Sequence, residues 1–285
     1  VDFVTRRAAV LGRPGRDYAE PSTLFRVGDT LFVGDWGLRR VTAWSLDGKL
    51  LASIPVPDAF GGAIPRGRDA AGHWYAERRP KPGQDGSGNL DSGAVVRLVG
   101  TVLDTVAQLA PYAMQRVAVA GAQRYERLVL SGTDQWGVRP DGSVWVARVN
   151  DNRVDVCAPG ARCTSGPTLP DLVLEVTLED RQYFLQGFPE EHRSLAEDLP
   201  FALVKPPFSR GFAAPDGALW LEKSRALSDT LRGYVLLDPT GTPLREYRLP
   251  NAQRILGASD STLLAVDPLV PGPGHRVVRY GRVGG

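Results

Sequence analysis

The chain has 285 residues and a formal net charge of +2 at pH 7. This near-neutral charge argues against a nucleic-acid partner, because such proteins usually concentrate basic residues on one face. No run of about 18 apolar residues occurs, which excludes a helical membrane span. The hydrophobic content of 42% and the aromatic content of 8% suit a β-rich core.

Repeated turn-and-strand units account for most of the chain. Asp141-Gly142 and Asp216-Gly217 each precede a run of apolar, aromatic residues, and Asp-Gly favours tight turns. A lone strand is predicted at residues 3–11. After it, short strands between turns predict five antiparallel units at residues 21–57, 61–109, 124–169, 208–250 and 254–283. A long loop rich in Gly, Pro, Ser and Asp is expected at residues 80–93.

One stretch departs from this pattern. Residues 177–199 have helical character, Thr177 and Asp180 have the spacing of a helix start, and Pro189 interrupts the run. We therefore predict a helical insertion between the third and fourth units.

The ends of the chain and its two cysteines bear on localisation. Val1 replaces the expected initiator, and the only methionine is Met114. A leading segment is therefore expected to have been lost, and removal of an export signal is one route. Cys157 and Cys163 flank a Pro-Gly turn and could form a disulfide, which would suit an exported protein.

Four strands per unit at this spacing predict an all-β fold, a β-propeller of four-stranded antiparallel blades forming a single domain over residues 1–285. The last unit lacks a fourth strand and the N-terminus has one to spare. We expect the N-terminal strand to close the last blade, since closure removes exposed edges. A ring that has lost an upstream sixth blade is the alternative.

The order of motifs resembles the six-bladed propeller superfamily of NHL-repeat and TolB-like proteins, especially bacterial exported propellers. The resemblance rests on the glycine- and proline-rich lead before Pro21, on Arg40-Val41-Thr42-Ala43-Trp44-Ser45-Leu46-Asp47-Gly48, and on the insertion before Pro206-Pro207-Phe208. The usual Gly-Glu-Phe is absent, and only five of six blades are discernible. The resemblance implies an extracytoplasmic location, in the periplasm or at the cell surface, and a binding role without catalytic residues.

Alignment of the five units places a set of residues at one mouth of the central channel. The second strands end in Asp35, Arg78, Arg148, Lys223 and Asp267. Gln135, Arg210 and Arg254 begin first strands at the same mouth. An excess of cations there suits an anionic ligand, although rim ion pairs that contribute little are the alternative interpretation.

Six tryptophans raise the question of stacking against a ligand. Trp36 in a loop and Trp136 near the channel are the ligand candidates. Trp74, Trp145 and Trp220 lie in strands and are expected to pack between blades, because large aromatic side chains dominate cores.

Signals of catalysis are weak. The three histidines lie in different units, and no nucleophile elbow is present. We therefore predict no catalytic residue, metal or cofactor, and a monomer that binds a small molecule, peptide or protein outside the cytoplasm. The alternative is a metal-dependent lactonase- or esterase-like propeller hydrolase, in which Asp35 and Asp267 could hold the metal.

Overall fold

The structure is a computed structural model. It describes residues 11–12, 15–81, 91–119, 122–170, 173–214, 216–259, 262–268 and 275–281. Five sheets form the blades of a propeller, and each is an antiparallel meander in which strands adjacent in sequence are neighbours in the sheet. The all-β, five-bladed prediction is confirmed, and a sixth blade is not seen among these described residues.

The first two blades agree closely with the predicted units. Blade 1 consists of β1 (Pro21–Val27), β2 (Thr30–Asp35), β3 (Arg40–Ser45) and β4 (Leu50–Pro55). Blade 2 consists of β5 (Gly67–Arg68), β6 (Trp74–Arg78), β7 (Ala94–Val99) and β8 (Val102–Gln108). A single 3-10 turn, Asp58–Phe60, links them. Residues 82–90 of the predicted loop lie outside the described residues.

A separate two-stranded hairpin precedes the third blade. It consists of β9 (Met114–Val119) and β10 (Ala122–Arg127), which pair only with each other among the named strands. The prediction that the third unit begins at residue 124 was therefore wrong. The sequence did not predict these strands, because polar side chains such as Gln115, Arg116 and Gln123 interrupt the apolar–polar alternation of a half-buried blade strand.

The remaining blades follow in order. Blade 3 consists of β11 (Gln135–Val138), β12 (Val144–Arg148), β13 (Arg153–Cys157) and β14 (Thr164–Ser165). Blade 4 consists of β15 (Phe208–Ala213), β16 (Leu219–Lys223), β17 (Leu231–Leu237) and β18 (Pro243–Pro250). Blade 5 contains β19 (Arg254–Ala258), β20 (Thr262–Pro268) and β21 (His275–Gly281). Residues 1–10 lie outside the described part of the chain, so closure by an N-terminal strand stays a prediction.

The two Asp-Gly motifs form the same turn in blades 3 and 4. Gly142 and Gly217 have φ values of 84° and 83°, a region that favours glycine. Asp141 accepts a hydrogen bond from the backbone N–H of Ser143 at 2.9 Å, and Asp216 accepts one from that of Ala218 at 3.0 Å. The local sequence thus starts the second strand of each blade.

The core lies between neighbouring blades. Trp74 of blade 2 packs edge-on against Phe32 of blade 1, with ring centroids 5.5 Å apart. Trp145 of blade 3 belongs to one cluster with Leu219 of blade 4. Trp220 belongs to another with blade 5. The prediction that these three tryptophans pack between blades is confirmed.

The first strands of successive blades surround the centre. Contacts join β1 to β5, β5 to β11 and β11 to β15. The antiparallel register then brings the end of each second strand beside the beginning of the first, as in the pairs Pro21 with Asp35 and Phe208 with Lys223. The ends where the candidate residues lie are therefore equivalent in each blade.

The insertion between blades 3 and 4 is helical, as predicted. It contains α1 (Leu178–Gln186) and α2 (Glu190–Glu197), which begins after Pro189. Thr177 caps α1 in a reciprocal capping box with Asp180. Val129 forms a parallel bridge with Phe201, so the segment after the hairpin joins the segment after α2.

Cys157 at the end of β13 forms a disulfide with Cys163, just before β14. Their Cα atoms lie 4.0 Å apart. The sequence prediction of this pair is confirmed. The bond fastens the shortest outer strand among the described blades, the two residues of β14.

Candidate functional site

Asp35 ends β2, but its carboxylate binds its own chain. It is buried, and it accepts hydrogen bonds from the backbone N–H groups of Ala19, Glu20 and Leu38 at 2.8, 3.0 and 3.0 Å. Burial alone would raise the pKa of Asp35, but these hydrogen bonds outweigh it and hold the pKa below its usual value. This arrangement fixes the chain that enters blade 1.

Arg148 ends β12 and is engaged in the same way. Its Nη1 donates to Asp134 at 3.0 Å and to the carbonyl of Gln108 at 2.6 Å, while its Nε donates to Asp155 at 2.7 Å. Both carboxylates are buried. The guanidinium therefore holds blade 3 together at the mouth.

The two tryptophan candidates differ in accessibility. Trp136 is only 4% exposed, and its Nε1 donates to the carboxylate of Glu77 at 2.9 Å. The guanidinium of Arg66 lies 4.8 Å from its ring centroid. Trp136 in β11 is therefore packed between blades 2 and 3. Trp36, by contrast, is 49% exposed.

Three other candidates do not line the cavity described below. Arg78 and Asp267 lie at or next to the ends of β6 and β20, but Arg210 lies inside β15, which begins two residues earlier, so the prediction that it begins a first strand was wrong. Arg78 and Arg210 are exposed. Asp267 accepts a hydrogen bond from Arg276 at 2.6 Å. This ion pair lies in blade 5, where Arg276 is largely exposed.

Gln135, Lys223 and Arg254 come together in one cavity. It has a volume of about 660 Å³ and lies between α1 and the mouth-side ends of blades 3, 4 and 5. This size falls within the range of about 300–1,000 Å³ that is usual for small-molecule sites. Its apolar lining residues are Leu130, Tyr183, Phe184, Pro206, Phe208 and Leu227.

Charged residues also line the cavity, and cations outnumber carboxylates among them. The cations are Lys205, Lys223, Arg225, Arg232 and Arg254, and the carboxylates are Asp180 and Glu222. Apolar and cationic groups therefore share one concave surface, which suits an anionic ligand that also has apolar parts.

Glu222 is the central acceptor of this wall. It is 3% exposed and forms an ion pair with Arg232, while its Oε2 lies 3.4 Å from Arg254 Nε. Tyr234 also donates to Oε2 at 3.4 Å. Burial raises the pKa of Tyr234 to about 12, so this phenol stays protonated and remains a donor.

A second buried pair attaches α1 to the propeller. Lys205 Nζ lies 2.6 Å from Asp180 Oδ1 and donates to the carbonyl of Arg225 at 2.9 Å. Burial alone would raise the pKa of Asp180, but hydrogen bonds from Lys205 and Thr177 hold it below its usual value. The helix is thus fixed over the mouth by charges as well as by its cap.

Sequence reasoning missed most of the wall that α1 and its flanking segments provide. Tyr183, Phe184, Lys205, Arg225 and Arg232 were not candidates, because they lie outside the aligned strand ends. Glu222 was missed although an acidic residue inside an apolar strand is an unusual signal, since buried carboxylates need partners.

Two observations concern metals and membranes. Within the described residues, no three His, Cys, Asp or Glu side chains converge in a way that could hold a metal ion. In the same part of the chain, no helix combines the length and the apolar character needed to cross a bilayer.

Comparisons with known proteins found similarity to solved structures at low sequence identity. No protein-family model and no curated protein matches the chain. A presumed exported protein from Bacteroides fragilis NCTC 9343 aligns at 12% identity and a TM-score of 0.46, over 90% of this chain and 70% of its own.

Two further solved structures align over most of the chain. A DUF4221 family member from Bacteroides vulgatus ATCC 8482 aligns at 7% identity and a TM-score of 0.47, over 89% of this chain and 76% of its own. A gluconolactonase from Xanthomonas campestris aligns at 15% identity and a TM-score of 0.35, over 83% and 64%. Identities this low do not transfer an activity.

Proposed function

We propose that this chain is a non-enzymatic, extracytoplasmic β-propeller, acting as one domain and as a monomer, that binds an anionic small molecule, peptide or protein partner. The binding site is the cavity at the channel mouth, beneath α1. Lys223, Arg254 and Gln135 belong to it from the predicted set. Asp35 and Arg148 support the scaffold around it.

The observation that carries the proposal is the composition of the cavity wall. Five cations face two carboxylates in a concavity of about 660 Å³. Ligand sites are typically concave, largely apolar and equipped with a few charged groups that fix orientation. An excess of cations at such a place favours a ligand that brings negative charge.

The extracytoplasmic location is supported by the disulfide between Cys157 and Cys163. Disulfides form and persist in oxidising compartments and are rare in the cytosol. This location is tested by alkylation of the native protein after rapid acid quenching of cells. We expect neither cysteine to react with the alkylating reagent. Two free thiols would contradict the location.

Binding is tested by thermal shift with a panel of small anions, cations and neutral compounds, followed by calorimetry on the compounds that stabilise the protein. We expect stabilising compounds to be mainly anions. The affinity of these anions should be about tenfold lower for Lys223→Gln than for the wild type, because a charge-assisted contact is lost. Lys49→Gln is the matched control, since Lys49 is exposed in blade 1.

Activity assays on the same protein test the hydrolase alternative. Ester and lactone substrates are offered with and without added Ca²⁺ or Zn²⁺. Turnover that depends on the cation and disappears with a chelator would contradict a non-enzymatic role. Stabilising compounds that are mainly cations, or that are indifferent to Lys223→Gln, would contradict the proposed site.

A further inference from the structure

The seven charges of the cavity do not pair evenly. Glu222 is matched by Arg232, which contacts it directly, and it also accepts from Tyr234. Asp180 is matched by Lys205 at 2.6 Å. All four charged side chains of these two pairs are at most 11% exposed. Their charges are therefore neutralised within the protein.

Three cations of the wall remain. Arg225 donates to the carbonyl of Ala226 at 3.2 Å, and no carboxylate of the described residues lies within ion-pair distance of it. Arg254 is 47% exposed and lies 3.4 Å from a carboxylate that Arg232 already neutralises. Lys223 lies 3.2 Å from Glu246 in an ion pair whose two side chains are partly exposed. Within the described residues, the positive charge without a carboxylate of its own therefore lies on Arg225 in blade 4 and Arg254 in blade 5.

The apolar part of the cavity wall is exposed to solvent. Tyr183 on α1 is 66% exposed and Leu130 is 36% exposed, although both line a concavity. Covering apolar surface contributes about 25 cal/mol per Å² removed from water. A ligand consisting only of a small charged group would leave this surface hydrated, so it would use only half of the site.

We infer that the ligand is an amphiphilic anion, a carboxylate or phosphate attached to a bulky apolar body. The inference rests on the proposed function and specifies the ligand class of that same cavity. The head group binds Arg225 and Arg254, with Lys223 beside them. The apolar body lies against Tyr183 and Leu130 under α1.

The guanidinium groups suit this head group. Arginine presents a planar fork of donors that matches the two oxygens of a carboxylate or phosphate. Arg254 can turn to the ligand without leaving a buried charge unpaired, because Arg232 stays on Glu222. Binding therefore needs no rearrangement of the buried pairs.

The test compares three probes that separate head from body: naphthoate, acetate and naphthylmethanol. Calorimetry on the full chain measures each affinity. We expect naphthoate to bind at least about tenfold more tightly than either acetate or naphthylmethanol, because only naphthoate makes both sets of contacts.

Two variants then assign the two halves of the site. Arg254→Gln should weaken naphthoate about tenfold and leave naphthylmethanol unchanged, since only the naphthoate complex loses a charge-assisted hydrogen bond. Tyr183→Ser should weaken both. The matched controls are Arg245→Gln on the exposed outer strand β18 and Tyr125→Ser on the hairpin, and both should bind as the wild type does.

The outcomes separate the inference from the function. If acetate binds as tightly as naphthoate, or if anions without an apolar body dominate the thermal-shift panel, the function stands and the inference fails. If an oligoglutamate peptide binds more tightly than naphthoate, the inference of an amphiphilic ligand fails and an acidic peptide or protein partner is favoured. If no anion binds at all, both fail.

Discussion

Blades 3 and 4 are neighbours with the same turn and the same strand order, yet they use the end of their second strand differently. In blade 3, Arg148 is held by Asp134, Asp155 and the carbonyl of Gln108. In blade 4, Lys223 at the equivalent position pairs with the half-exposed Glu246 and lines the cavity. The first charge maintains the scaffold, and the second is available to the cavity.

The outer strands differ as well. β14 of blade 3 has two residues, and the disulfide lies next to it. β18 of blade 4 has eight residues, paired along the length of β17. Blade 3 therefore combines a short outer strand with a disulfide and a buried charge network, whereas blade 4 combines a long outer strand with a partly exposed ion pair at Lys223. A charge at a given register position thus has no fixed role.

The largest expected effect is that of Arg148→Met. Removing this guanidinium takes an ionic partner from each of two buried carboxylates, of which Asp155 keeps Arg153 at 3.0 Å. Breaking a buried pair destabilises by about 3–5 kcal/mol. Urea unfolding of the variant measures the loss. Lys223→Met is the matched control at the equivalent position of blade 4, and equal losses in the two variants would contradict the comparison.

Acid provides a second measure of the same network. Burial alone would raise the pKa of Asp155, but hydrogen bonds from Arg148, Ser165 and Arg153 hold it below the usual 3.8. Because the folded state lowers this pKa, the contribution to stability is present above pH 3.8 and is lost as pH falls through the folded value. The stability difference between wild type and Arg148→Met should therefore shrink below pH 3.8, and a constant difference would exclude Asp155 as its source.

Removing the disulfide should have the next largest effect. The double variant Cys157→Ser/Cys163→Ser should lose about 2–3 kcal/mol of unfolding free energy, because the unfolded chain is no longer constrained. Hydrogen exchange should show the loss of protection first around β13 and β14. Protection of β17 and β18 in blade 4 serves as the internal control, and equal loosening of both blades would contradict a local role.

A smaller effect is expected for Thr177→Ala. This change removes the N-cap side chain of α1 and leaves the pair between Asp180 and Lys205 in place, and loss of a helix cap contributes about 1 kcal/mol. Limited proteolysis should cut near α1 faster while the blades stay intact. Glu179→Ala removes an acidic residue from the same first turn without removing the cap, and it should be cut at the wild-type rate.

The smallest effect on stability is expected for Lys223→Met. Its ion pair with Glu246 is partly exposed, and such pairs contribute about 0–1 kcal/mol. Urea unfolding should hardly change while the affinity for a bound anion falls. A large loss of stability would show that Lys223 is structural, like Arg148.

Local signals accounted for the blades. Asp141-Gly142 and Asp216-Gly217 form their turns through contacts within a few residues, so their sequence was sufficient to place them. Thr177 and Asp180 likewise predicted the start of α1. The hairpin β9–β10 was not predicted, because its strands are polar and pair with no strand of the described blades. Neither its residue pattern nor its position in the repeat indicated a hairpin.

The candidate site was only partly accessible to such reasoning. Lys223 and Arg254 were found because strand register places them at one mouth. Tyr183 and Lys205 were not, since they approach the mouth only when the insertion folds back over it. Trp136 was misplaced as a ligand candidate because its hydrogen bond to Glu77 crosses from blade 3 to blade 2.

The sequence by itself determined the repeated strands, the disulfide and the helical insertion, because each follows from residues close together in the chain. Tertiary structure alone decided which charges remain available. Arg148 is committed by partners up to 40 residues away, and Lys205 by one 25 residues away. Electrostatic pairing depends on distance in space, and burial strengthens it, so equal charges at equivalent positions came to serve the scaffold in blade 3 and the cavity in blade 4.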